Sequence, residues 1–367
     1  MRRASAAELR RFASSVSQSH GVPPDEADLL ADTLVVAELW GHASHGMLRL
    51  PWYVDRIVSG ATEPACHESI PLDHGAVVVL DGNNGLGQVV SQRAVGVAIE
   101  RAREHGISAV GVRNSGHFGT AAYFTRQIAE AGCVSILATN ASPAMAPWGG
   151  REKRIGTNPW SIAAPAGDAG VTVLDIANTA VARGKIYLAD EKNLPIPEGW
   201  AADADGAPTT DAKAAIDGLI LPMAGHKGYI ISFMMDVLAG VLTGSAFGRD
   251  VVGPYHQSGR SGVGHLFITI DVASMLDADD FAARMARLID EVKSTPLAAG
   301  VEEIFYPGEI EDRNAARIER QGIAVADDTW TSLEELAVRT GVPLPAELPI
   351  ELTAEAAGTI ADSRESA

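Results

Sequence analysis

Ser44, His45, Arg49 and Tyr53 recur at or near one helical turn despite the break at Pro51, so their side chains can line one pocket wall. A histidine with an ordinary pKa gives or takes a proton at neutral pH, and an arginine presents a planar fork that grips a carboxylate. That pair suits an α-keto or α-hydroxy acid. The same spacing also fits a solvated helix in which Arg49 pairs with Asp55. His42 and His45 can share a helix face as two imidazole ligands, but no third ligand or HExxH glutamate accompanies them, so no metal is expected.

A second histidine, His117, stands in Asn114-Ser115-Gly116-His117-Phe118-Gly119, between an apolar run and a helix expected from Thr120. Backbone N–H groups at such a turn bind an anion, or serve only as a helix cap. Gly225-His226-Lys227-Gly228 opens a long apolar helix, where a lysine is disfavoured unless an anion such as phosphate offsets it. Ile155-Gly156-Thr157-Asn158-Pro159 and Leu174-Asp175-Ile176-Ala177 fall at strand edges, where open sheets gather ligand contacts and where plain turns are also found. Gly82-Asn83-Asn84-Gly85-Leu86-Gly87 has neither the GxGxxG order nor a Walker pattern and reads as a tight structural turn.

Ser5-Ala6-Ala7-Glu8 has capping-box form ahead of Leu9, Phe12 and Val16, which predicts a first helix ending near His20-Gly21. Pro23-Pro24-Asp25 opens a second, and a third runs from Pro51 to Ser59-Gly60, with Leu50 held extended by the Pro51 ring. From Ala76 the pattern changes. The run 76–80 predicts a strand buried on both faces, followed by a helix over 89–105, a strand over 108–112, a helix over 120–131 and a strand over 134–138. Strands are further expected at 160–164, 171–176 and 265–271, and helices at 228–244, 279–293, 314–322 and 332–341. This alternation implies an α/β sheet. Between Leu188 and Asp217 the polar, turn-rich stretch 203–211 reads as an exposed covering loop. Three regions follow: helical 1–75 packing with 311–352, an α/β core over 76–310, and a frayed tail over 353–367.

The 367 residues include 46% hydrophobic and 21% charged side chains, a globular balance long enough for a sizeable core. The net charge of −18 opposes binding to a phosphate backbone, so nucleic acid is not an expected partner. Cys66 and Cys133, far apart, read as reduced thiols. Charged Glu8, Arg10 and Arg11 replace a secretory apolar core, and Asp236 interrupts the apolar stretch 229–247. The expectation is a cytoplasmic protein without a membrane span, and a buried core helix at 229–247.

Ser44-His45-Gly46 with Arg49 and Tyr53, Asp81 to Gly87, Gly116-His117-Phe118-Gly119, Gly156-Thr157-Asn158-Pro159, Asp175-Ile176-Ala177, Arg183 to Ile186, Gly225 to Tyr229 and Pro307-Gly308-Glu309 form eight blocks in order along the chain. Together they resemble the malate/L-lactate dehydrogenase family. The resemblance implies a non-Rossmann, mixed-sheet α/β fold with a helical flanking domain, an interlocked homodimer or higher homo-oligomer, and NAD or NADP in a cleft. It implies hydride transfer between NAD(P)H and a small 2-ketoacid or 2-hydroxyacid. His45 matches the proton donor beside Ser44, His117 is an alternative acid/base, Arg49 grips the carboxylate, and Tyr53 and Asn158 contact substrate. His117, Phe118, Gly119, Thr120, Ala121, Asn140, Asp175, Ile176, Ala177, His226, Lys227, Gly308, Glu309 and Ile310 match cofactor contacts. Lys185 stands where imino-acid-reducing relatives have an aspartate, which favours a keto or hydroxy acid over a cyclic imino acid. A metal-dependent hydrolase using His42 and His45, and a noncatalytic nucleotide-binding module, are the competing readings.

Overall fold

A computed structural model of the chain describes residues 1–348. The tail expected at 353–367 and the end of the segment 311–352 lie outside the described residues. Ser5 caps the first helix, Ala6–Ser19, by accepting the Glu8 N–H, and Pro24 opens the second, Pro24–Leu39. The third helix, Leu50–Val58, starts one residue earlier than its proline suggests. Leu50 is helical, not extended, because a 3-10 turn over Met47–Arg49 hands the chain directly into the helix and the Leu50 side chain is fully buried. These helices share a core with the helix Asp327–Thr340: Leu9, Phe12, Leu30 and Leu34 pack with Trp330 and Leu333. A short strand pair that no sequence pattern announced, Arg2–Ala4 with Ile323–Val325, closes this unit.

The central sheet has seven strands, in the spatial order Ser69–Asp73, Val77–Asp81, Ile107–Ser115, Val263–Asp271, Cys133–Thr139, Trp160–Pro165, Val171–Ile176. Val77–Asp81 and Ile107–Ser115 are parallel, joined by the crossover helix Gly87–His105, and every other neighbouring pair is antiparallel. The sheet is therefore mixed, as expected. One face is sealed by the helices Gly87–His105 and Ala122–Glu130, with Val78, Leu80, Val110, Leu137 and Phe267 in the core. The first strand is not buried on both faces, however. Val77 is 48% exposed, and across the same second face Ile136 is 36% exposed, because no helix among the described residues covers that side completely.

The helix expected at 228–244 is observed as His226–Asp236 continued by a π turn over Val237–Val241, and it is not a buried core helix. Only its small residues and Asp236 face inward: Gly228, Ser232, Ala239 and Gly240 meet the protein, while Phe233, Met234 and Leu242 stand about half exposed or more. The helix Ala278–Lys293 goes further. Phe281, Met285, Leu288, Ile289 and Val292 form an apolar stripe at helical spacing, yet none of the helix is buried.

The polar stretch 203–211 is exposed, as expected, and belongs to a small folded unit. The helices Arg183–Glu191 and Ala212–Asp217 pack on a three-stranded sheet of Ala201–Ala202, Pro208–Thr209 and Leu219–Ile220 around Ile186, Ile196 and Ala215. The polar stretch is its hairpin tip, where Asp203 binds the backbone N–H groups of Asp205 and Ala207. Short strands of two residues carry too little periodicity to be read from sequence.

His265, fully buried in the middle of the sheet, joins Thr139 Oγ1 at 2.8 Å to Ser115 Oγ at 2.9 Å. Burial pushes its pKa down to about 3. Between that value and the unfolded value near 6.5 the unfolded chain binds the extra proton, so stability is full above pH 6.5 and is lost as the pH falls. At pH 5 this histidine alone costs about 2 kcal/mol. A melting temperature that drops between pH 7 and pH 5, and drops less in His265→Asn, is the expected result of thermal unfolding by circular dichroism.

Candidate active site

After the helix Pro24–Leu39 the chain makes two successive 3-10 turns, Ala43–His45 and Met47–Arg49, before the helix Leu50–Val58 begins. This compact route puts Ser44, His45, Arg49 and Tyr53 on one side. The Ser44 hydroxyl lies 2.9 Å from His45 Nδ1, and Arg49 Nε donates to the Ser44 carbonyl at 2.6 Å. Arg49 does not pair with Asp55, which is taken by Arg339 and Gln257. The two terminal nitrogens of Arg49 donate to no residue among those described. His42 and His45 do not share a ligand-bearing face: His42 Nε2 is 3.6 Å from Glu311, whereas His45 stacks on His117. No group of three or more candidate metal ligands occurs among the described residues.

His117 reaches this wall from the turn that follows the strand Ile107–Ser115. Its ring stacks on that of His45, centroids 5.8 Å apart and planes inclined by 17°, and its Nδ1 is 2.7 Å from the Tyr53 hydroxyl. The Gly119 N–H also donates to Nδ1, at 3.3 Å. A backbone amide can only donate, so neutral His117 carries its proton on Nε2. The glycine-rich turn expected at 82–87 explains how this turn gets so close. A Cβ on Gly87 would lie 2.3 Å from the Gly116 carbonyl oxygen and 2.7 Å from that of His117, so the helix start packs backbone to backbone against the site. Asp81 fixes the turn through Asn83 N–H, Asn114 and Arg113.

Burial, reinforced by the charges of Arg49 and His42, pushes the His45 pKa down to about 3. Burial likewise holds His117 well below the usual histidine range, with Arg49 and His45 adding to it. Burial pushes the Tyr53 hydroxyl up to about 12. Both imidazoles are therefore neutral at pH 7. Arg49 is itself lowered, by burial.

Three of the segments matching cofactor contacts, His117–Ala121, Asp175–Ala177 and Gly308–Ile310, meet at the helix Ala122–Glu130. Asp175 Oδ2 accepts the Ala122 N–H at 2.7 Å, so the first amide of that helix already has an anion. Burial raises the Asp175 pKa, opposed by that hydrogen bond. Arg126 on the same helix donates to the Gly308 carbonyl and to Asp312, and its guanidinium lies over Trp40 at 5.1 Å. Phe118 and Ala121 turn into the hydrophobic core. The Thr120 hydroxyl is buried without a hydrogen-bond partner among the described residues, and a side chain on Gly119 would meet nothing within 4 Å. Ala177 is exposed, and Ile176 pairs with Trp160 across the strands. His226 and Lys227 are exposed, with Trp148 set edge-on to His226 at 5.9 Å. Glu309 is clamped by Lys293 and Arg313, and Ile310 is 49% exposed.

Two asparagines are committed inside the fold. Asn140 bonds Asp236, the Ala246 carbonyl and the Gly264 N–H, and Asn158 bonds the Ala141 N–H and the Ser232 carbonyl. Two residues not singled out from sequence, Trp52 and Tyr255, stand by Arg49 instead, with Ser142 behind Tyr255. The Arg49 guanidinium lies 4.3 Å over the Trp52 ring, Tyr255 meets Trp52 edge-on at 6.1 Å, and the Tyr255 hydroxyl is 3.1 Å from Ser142 Oγ. Trp52 follows Arg49 at helical spacing and was readable; Tyr255 and Ser142 arrive from distant loops and were not.

Residues 4–334 match the family model of malate/L-lactate dehydrogenases. The chain is 39% identical over 321 residues to an L-sulfolactate dehydrogenase of Methanothermobacter thermautotrophicus, covering 88% of this chain and 92% of that one. It is 34% identical over 315 residues to a ureidoglycolate dehydrogenase (NAD(+)) of Escherichia coli K12, covering 85% and 89%. The solved sulfolactate dehydrogenase from Methanocaldococcus jannaschii superposes with a TM-score of 0.88 at 36% identity, over 93% of this chain and 98% of that one.

Proposed function

Because the chain belongs to the malate/L-lactate dehydrogenase family, whose relatives are named as dehydrogenases of small hydroxyacids, we propose that it transfers a hydride between NAD or NADP and a small 2-hydroxyacid or 2-ketoacid. The observation that carries this reading is the stacked His45–His117 pair beside an arginine whose terminal nitrogens have no partner among the described residues.

The buried, unpartnered Thr120 hydroxyl and the open space over Gly119 fit a polar cofactor group. The turn His117–Ala121, the strand end Asp175–Ala177 and the turn Gly308–Ile310 would hold the dinucleotide, with His226 and Lys227 offering a cation to its phosphates. Phe118, Ala121 and Asn140 serve by shaping that cradle from inside the fold. When bound, the nicotinamide accepts or supplies the hydride.

Arg49 grips the substrate carboxylate through its two terminal nitrogens, and Trp52 and Tyr255 wall the pocket. In the oxidising direction neutral His45 takes the proton of the C2 hydroxyl as C2 loses its hydride; in the reducing direction protonated His45 returns it to the developing alkoxide. Substrate binding assists this step. A carboxylate on Arg49 cancels a charge that depresses His45, so the imidazole becomes more basic once substrate is in place. His117, held as the Nε2–H form by the Gly119 amide and braced by Tyr53, orients the substrate oxygen as a hydrogen-bond donor. Asn158 supports the pocket from behind.

A homodimer completes the fold. The apolar stripe of Ala278–Lys293, the half-exposed face of His226–Val241 and the open side of the sheet leave apolar side chains bare that a second copy would cover. No helix among the described residues is long and apolar enough to cross a membrane. Absorbance assays of NADH and NADPH oxidation against oxaloacetate, pyruvate and related 2-ketoacids test the reaction. Turnover with at least one supports the reading; dinucleotide binding without turnover across the series would leave a noncatalytic module.

A further inference from the structure

Glu38, the next-to-last residue of the helix Pro24–Leu39, turns its side chain inward and is only 7% exposed. Its Oε1 accepts the Met47 N–H at 2.8 Å. Met47 opens the second 3-10 turn, and an amide at the start of such a turn has no backbone acceptor of its own. The carboxyl therefore supplies the acceptor at the joint between the turn that carries His45 and the turn that carries Arg49.

Gly46 sits at that joint, with φ −90° and ψ −142°. What demands glycine there is the acid. A Cβ on Gly46 would lie 2.2 Å from Glu38 Oε1 and 2.4 Å from its Cδ. Side chain and backbone are thus fitted to each other under the peptide that links the two functional turns.

This carboxyl is a poor choice for stability alone. No cation pairs with it among the described residues, and burial pushes its pKa up to about 7 against the pull of the Met47 N–H. An apolar side chain of similar volume would fill the space without burying an acid. The acid contributes what a hydrocarbon lacks, a fixed acceptor at the joint.

We propose that Glu38 is a positioning residue of the active site, acting through the Met47 amide to fix the angle between the two turns and so the placement of His45 relative to Arg49. The inference rests on the assignment of His45 and Arg49 above, and it takes the same form as other supports that lock a reacting group from behind.

The test compares Glu38→Leu, which keeps bulk and removes the acceptor, with Glu38→Gln, which keeps both. Hydrogen exchange at the Met47 amide, dinucleotide affinity by fluorescence, and kcat and KM are read on each full-length protein. Glu38→Leu is expected to fold, to bind dinucleotide as before, to expose the Met47 amide to exchange at least tenfold faster, and to lose at least tenfold in kcat. Glu38→Gln is expected to keep amide protection and to stay within about threefold of the parent in kcat, an acceptor being all that is required. The proposal is overturned if Glu38→Leu exchanges fast at Met47 yet turns over normally, or if Glu38→Gln is as impaired as Glu38→Leu. Should Glu38→Leu fail to fold, Glu38→Asp, which withdraws the carboxylate by one methylene, must show the same paired loss of protection and kcat. Unchanged turnover in His45→Ala would sink the site assignment instead, while the exchange contrast at Met47 would still report on Glu38.

Discussion

His45→Ala is expected to lower kcat by about 10²–10⁴-fold with dinucleotide affinity unchanged, the usual worth of a positioned proton-transfer group. Nothing nearby replaces it well. Ser44 is hydrogen-bonded to the same imidazole, and His117 has its Nδ1 occupied by Tyr53 and Gly119. Arg49→Ala should behave differently, raising KM far more than it lowers kcat, because a carboxylate gripped equally in ground and transition states contributes to binding and not to the barrier. Arg49→Lys should recover little, since a lysine has neither the fork nor the flat face that rests on Trp52. Steady-state kinetics of the three variants check this, and a His45→Ala enzyme with normal kcat would transfer the acid/base role to His117.

Gly264→Ala is expected to cost about 3 kcal/mol or more and to prevent the helix His226–Val241 from seating on the sheet. Gly264 lies in the strand Val263–Asp271, and a Cβ there would come 1.8 Å from the Ala239 carbonyl oxygen, inside the π turn. Backbone meets backbone, so no rotamer change relieves the clash. Gly264 also exchanges hydrogen bonds with Asn140, which in turn holds Asp236 at the end of the helix. Denaturant unfolding should show the loss, and exchange of the amides over 226–241 should rise with it. A parent-like midpoint would mean that the helix can ride outward without penalty.

Much of the site was readable because its residues are neighbours in sequence. Ser44, His45, Arg49 and Tyr53 fall within ten positions, and short-range geometry carries them to one side whether the turns are α or 3-10. His117 was readable as a turn residue, but its contact with His45 was not, since it depends on Gly87 letting two backbone segments touch. Ser5 and Pro24 marked helix starts by local chemistry, and the structure follows them. Burial was harder to read. An apolar helix over 226–241 looks like core from sequence, yet hydrophobicity says only that a surface must be covered, not by what. Asn140 and Asn158 show the opposite difficulty. The resemblance matches both to ligand contacts, whereas both spend their amides inside the protein, Asn140 on Asp236 and backbone and Asn158 on backbone.

Of the six tryptophans, Trp52 is the one whose ring carries the Arg49 guanidinium. Trp40, Trp200 and Trp330 lie under Arg126, Lys185 and Arg2, outside this pocket. An anion that draws Arg49 from its resting bond to the Ser44 carbonyl must also lift a charge off the Trp52 indole, whose excited state is sensitive to nearby cations. The molecule thereby carries an optical probe beside the arginine proposed to hold the substrate, one that needs no label and responds before any chemistry takes place.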